Sequence, residues 1–165
     1  MMMILKIRPV LFVHSNSFMP IKIKNDALSN NEKKAVKTHL DEIITRHQGR
    51  FSLEDYQILL KAIDSISNSK HNNIKELSFY LRAITKHLEL KNTRTFFNRG
   101  EKRLLASLRF FYELEDVIPD YIPDRGFLDD IYCVNYAIGK ETPLNKNRIE
   151  HLANHFKKQN ISNGE

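Results

Sequence analysis

From Ser29 to Lys158 apolar residues recur at intervals of three and four, and no stretch shows the alternation of a strand. That period places one apolar stripe on each helix and leaves few ways to bury it except helix against helix. The fold class expected is therefore all-α: a compact bundle of five to six helices, with a Pro/Asp-rich turn joining the fourth and fifth. In the first helix Ser29 and Glu32 have capping-box spacing, Val36, Leu40, Ile43 and Ile44 share a face, and Gly49 stands at the left-handed C-terminal position. Ser52 caps the second, with Glu54 and Asp55 at its positive end and Tyr56, Leu59, Leu60, Ile63 and Ile66 as its stripe. The third spans about 73–89 and carries Ile74, Leu77, Leu81, Ile84 and Leu88. The fourth holds Leu104, Leu105, Leu108, Phe111 and Tyr112, rich enough in large residues to be the centre of the core, with Gly100 near its start. Phe127 to Gly139 forms the fifth and residues 145–158 the sixth.

A chain of 165 residues with 41% hydrophobic and 28% charged residues suits one packed domain. Residues 1–28 are expected to be a poorly structured extension, 29–158 the domain and 159–165 a frayed tail. The apolar run at Val10 to Val13 is interrupted nearby by Lys6, Arg8 and Pro9, so it is neither a signal peptide nor a membrane span. Met19-Pro20 reads as an initiation site, which makes the residues before it dispensable. The single Cys133 permits no intrachain disulfide and no multi-cysteine zinc site, and fits a cytoplasmic location.

The net charge of +6 conceals an asymmetry. Between Glu113 and Asp130 lie seven carboxylates against Arg125 alone, so the rest of the chain carries +12. Like charges so close require a partner, a cation or solvent. Pro119 and Pro123 break the helix there, and Gly126 lets the chain turn.

This segment, Asp116-Val-Ile-Pro-Asp-Tyr-Ile-Pro-Asp-Arg-Gly-Phe-Leu-Asp-Asp130, resembles the signature of the YkvA-like family, a bacterial domain of unknown function. Its pattern is approximately D-(L/V)-I-P-D-x-I-P-x-x-G-x-x-D-D between two helices. The matching residues are Asp116, Ile118, Pro119, Asp120, Ile122, Pro123, Gly126, Leu128, Asp129 and Asp130. Where family members often carry a Pro two residues before the first Asp, this chain has Leu114. The resemblance covers about residues 97–139 and implies a helical hairpin, with no catalytic activity to transfer. Members are often described as membrane proteins. Here Lys102, Arg103, Arg109, Asp129, Asp130 and Asn135 make a bilayer span costly, leaving peripheral membrane contact as a minor reading.

Several chemistries compete for these residues. Asp116, Asp120, Asp129 and Asp130 converge if the hairpin closes, and several hard oxygens suit Mg²⁺, Mn²⁺ or Ca²⁺. Against this, short aspartate contacts to turn and helix-start backbone are far commoner, and no cofactor is predicted. His151 and His155 have i, i+4 spacing without a third local ligand or an adjacent Glu, and His39 and His47 are a weaker pair. Cys133 reads as a packing thiol. Arg94, Arg99, Lys102 and Arg103, beside Phe96 and Phe97, form a basic-aromatic patch that nucleic acid could meet, although no nucleic-acid motif is present. No phosphate loop, nucleophile elbow or kinase signature occurs. The reading favoured is a non-enzymatic interaction or accessory module that presents an acidic turn to a protein partner. A metal-dependent protein and a nucleic-acid-associated protein are the alternatives.

Overall fold

The computed structural model describes residues 20–24, 27–92, 96–113 and 127–163. Six helices account for about three quarters of them: α1 (Asn30–His47), α2 (Leu53–Ile66), α3 (Asn72–His87), α4 (Arg99–Tyr112), α5 (Leu128–Gly139) and α6 (Pro143–Asn163). No strand occurs among the described residues, so the chain is the all-α bundle its periodicity predicts. The Pro/Asp turn, residues 114–126, lies outside the described residues, as do residues 1–19.

Local sequence starts the helices. Ser29 with Glu32, Ser52 with Asp55 and Asn98 with Glu101 each form a reciprocal capping box, which satisfies amide groups that the first helical turn leaves unpaired. Thr142 accepts from the Asn145 amide and Pro143 follows at the first helical position, where its missing N–H costs nothing. The sixth helix therefore begins before the predicted residue 145. It also runs past the predicted residue 158, an end the apolar spacing does not show, since the last turns carry no buried apolar residue and Ile161 is exposed.

Packing is layered. α1 places Val36, Leu40 and Ile43 against Ala106 and Phe110 of α4 and Cys133 of α5. On the other side α4 and α5 join a larger core with α2, α3 and α6, around Leu77, Leu81, Ile84, Leu104, Leu108, Val134 and Ile149. Apolar matter on both faces explains why every residue from Leu104 to Phe111 is buried. α3 shares the centre, with an unbroken buried run from Leu77 to Leu81 and another from Ala83 to Thr85.

Sequence neighbours do not always pack together. α1 has no contact with α2 and rests on α4 and α5 instead. Gln48 and Gly49 at its end both have left-handed backbone, at φ 50° and 75°, and carry the chain away from α1's own axis. The most extensive helix pairing is α3 with α6, elements that are far apart in sequence. α2 also packs on α3, yet the α2 and α6 backbones do not approach each other directly.

Before α1, Ile21 is buried in the large core, and both of its backbone groups pair with the Asn135 side chain of α5. The Ile21 N–H donates to Asn135 Oδ1 at 3.0 Å, and Asn135 Nδ2 donates to the Ile21 carbonyl at 2.8 Å. Leu28 is buried as well. No helix among the described residues is long and apolar enough to cross a membrane.

Candidate functional site

The flanks of the acidic segment are described even though its middle is not. On the α4 side Glu113 is the last described residue. His47 Nε2 lies 3.0 Å from Glu113 Oε1, and Arg46 Nη1 lies 3.7 Å from Glu113 Oε2. Both basic side chains belong to the last turn of α1, where cations are favoured by the helix dipole. The Arg46 charge and the His47 contact offset the poor placement of a carboxylate at the C-terminal end of α4.

One turn earlier Arg109 is buried and ties α4 to the start of α2. Its Nη2 donates to the Arg50 carbonyl and, at 3.2 Å, to Asp55 Oδ2, while its guanidinium lies 5.5 Å from the centre of the Phe51 ring. Asp55 also accepts from the Ser52 amide and hydroxyl, both at 2.9 Å. Burial pushes the Asp55 carboxyl up, but the Ser52 hydrogen bonds and the Arg109 charge outweigh it and hold the group below the usual carboxylate range. Tyr112 borders this cluster. Burial raises its phenol far above the ordinary value, Arg109 opposes that rise, and Asp55 and Glu113 add to it.

On the α5 side Asp129 and Asp130 occupy the first turn and are 0% and 1% exposed. The Asp130 amide donates to Asp129 Oδ1 at 2.9 Å, so the Asp129 carboxylate meets the positive end of the helix. Of the four aspartates proposed as cation ligands, these are the two described. Asp116 and Asp120 lie outside the described residues, together with Ile118, Pro119, Ile122, Pro123 and Gly126. Among the described residues no group of three or more potential ligands comes together.

The histidine pairs separate. His39 stacks edge-on against Phe110, with ring centres 5.3 Å apart, and its Nδ1 lies 3.7 Å from Glu42, whereas His47 faces Glu113. His151 and His155 are both exposed on α6. Cys133 is fully buried, and burial first, then Asp130 and Asp129, push its thiol well above the usual value, so the nucleophilic thiolate is disfavoured. Arg94 lies outside the described residues, Arg99 is exposed, and Lys102 and Arg103 are half-buried. The aromatic pair beside them divides: Phe97 enters the core at 3% exposure and Phe96 stands out at 76%. Any stacking contact on this face would therefore fall to Phe96.

Two features escape a reading of the sequence alone. Asn135 stands in the sequence as one more polar residue on the fifth helix, and its partner Ile21 is 114 residues away. The second is a cavity of about 440 Å³ between α2, α3 and α6. It follows from two helices that share α3 as a support without their backbones meeting each other. The sequence signal that could point to it is the cationic excess among Arg82, Lys86 and Lys91 at the end of the third helix.

Comparison with known proteins returns no matching family, no matching curated protein and no matching solved structure.

Proposed function

We propose that this chain is a YkvA-like, non-enzymatic interaction or accessory module, and that the acidic turn between Glu113 and the buried Asp129 is the surface its partner meets. The supporting observation is that both flanks of the segment are held: Glu113 by His47 and Arg46, and Asp129 and Asp130 by burial in the first turn of α5. Fixed ends reduce the freedom lost when a partner binds. Between them the sequence supplies Glu115, Asp116, Asp120 and Asp124 against Arg125, and two prolines that restrict the backbone. A partner with a basic face is the complementary chemistry. A cytoplasmic setting belongs to the same proposal and is supported by the single, buried Cys133.

The test is recovery of bound proteins by wild type and by the triple variant Asp116→Asn, Asp120→Asn, Asp124→Asn, with melting temperatures measured for both. The triple variant is expected to melt like wild type and to lose its main partner. An unchanged set of partners would refute the assignment of this surface.

A further inference from the structure

The cavity between α2, α3 and α6 combines an apolar interior with cations that have little else to bind. Leu60 and Ile63 of α2 and Phe156 of α6 form its apolar walls, and α3 supplies the floor. Its volume of about 440 Å³ falls within the range of small-molecule pockets, roughly 300–1,000 Å³. Around it stand four cations, Arg82, Lys86, Lys91 and Arg148, against the carboxylates of Asp64 and Glu89.

Those charges are not evenly matched. Arg82 Nη2 holds Asp64 Oδ1 at 2.9 Å, which accounts for one pair. No ion pair among the described residues reaches Lys86, Lys91 or Arg148. Glu89 is exposed, and its position is dictated by the turn that ends α3. Isolated surface lysines are ordinary. Three cations without an ion pair around one apolar concavity set up a site whose interior favours a hydrocarbon or aromatic body and whose rim favours a negative head. Residues 1–19 are a poor occupant from within the chain, because they carry Lys6 and Arg8 and no carboxylate.

We infer that this groove binds a small amphipathic anion, its apolar body against Leu60, Ile63 and Phe156 and its head among Lys86, Lys91 and Arg148. Carboxylate and phosphate heads share this chemistry: lysines act on either as point charges, and Arg148 can grip either with two parallel hydrogen bonds. The site is independent of the acidic segment, since none of its lining residues belongs to 113–130.

The experiment is calorimetric titration of the full chain, below micelle-forming concentrations, with decanoate, decyl phosphate, decanol and decyltrimethylammonium. Saturable one-to-one binding of decanoate, decyl phosphate or both is expected, with the tighter of the two naming the head group. Decanol should bind more weakly and the alkylammonium not at all. Lys86 and Arg148 are exposed, so Lys86→Gln with Arg148→Gln should leave the melting temperature intact while weakening anion binding about tenfold. A second variant, Leu60→Glu, places a carboxylate at the half-buried wall and should abolish anion binding. Equal binding of the alkylammonium, absence of saturable anion binding, or unchanged affinity in the double variant would overturn the assignment.

Discussion

Asn135 engages one residue with both ends of its amide. Its oxygen accepts from the Ile21 amide and its nitrogen donates to the Ile21 carbonyl, the same pair of bonds that a neighbouring strand would supply. Ile21 is 1% exposed, so water does not replace those bonds when they are lost. Asn135→Ala should therefore destabilise the protein by about 2–4 kcal/mol, the cost of two buried backbone groups left unsatisfied. Urea denaturation checks this, and a change within about 0.5 kcal/mol, as at ordinary surface positions, would show that Ile21 is not held this way. Asp55 acts at the same scale through its charge. Its folded-state value lies below that of the unfolded chain, so its ionisation stabilises the fold above the ordinary carboxylate range, and that stabilisation is lost as pH falls through the folded value. The melting-temperature gap between wild type and Asp55→Asn should be widest at neutral pH and narrow below about pH 4. A gap constant down to about pH 2 would contradict the tie between Asp55 and Arg109.

Helix ends divide into those that follow their local sequence and two, at Gln48 and Glu89, that put a side chain in left-handed backbone. The capping pairs at Ser29, Ser52 and Asn98 operate over three residues, and the first two are visible in the sequence for that reason. The end of α3 is different. Glu89 donates its amide to the Lys86 carbonyl and Leu90 donates to the Thr85 carbonyl, which is the Schellman arrangement. It requires a left-handed residue at Glu89, and φ there is 53°. Glycine ordinarily occupies that position, because a side chain costs about 1–2 kcal/mol in left-handed backbone. Glu89→Gly should thus raise stability by about 1 kcal/mol after the added unfolded-state freedom is subtracted, as read by urea denaturation. A loss of stability would mean that the carboxylate makes a contact worth more than the backbone strain. The ends of α6 were legible only in part. Thr142-Pro143 is a start signal, but the apolar spacing does not reveal it because Leu144 is 78% exposed.

For the whole molecule, fold class and the central stripe residues of the two cores are legible because helical periodicity is a local property, whereas Ile21, Phe79, Tyr80 and Phe110 are buried off any predicted stripe. Val36, Leu40, Leu59, Ile63, Leu77, Leu81 and Leu108 stand on predicted stripes and all are buried. Which stripe faces which is not local: nothing near α3 or α6 in sequence announces that they form the broadest pairing, or that α1 passes over α2 to reach α4 and α5. The groove follows from that arrangement and is invisible without it. The acidic segment shows the reverse case, conspicuous in sequence through its charge and punctuation, with only its flanks placed by the described residues. Those flanks put both ends of the segment on packed helices, and the proposed function rests on that arrangement.

The most direct measurement is cross-linking mass spectrometry of the full chain bound to its captured partner, with a reagent that joins carboxylates to amines. Links are expected from Asp116, Asp120 or Asp124 to lysines of the partner, absent when those three residues are asparagine. Links confined to other carboxylates, such as Glu54 or Glu150 on the helices, with none from the acidic segment, would contradict the proposed surface.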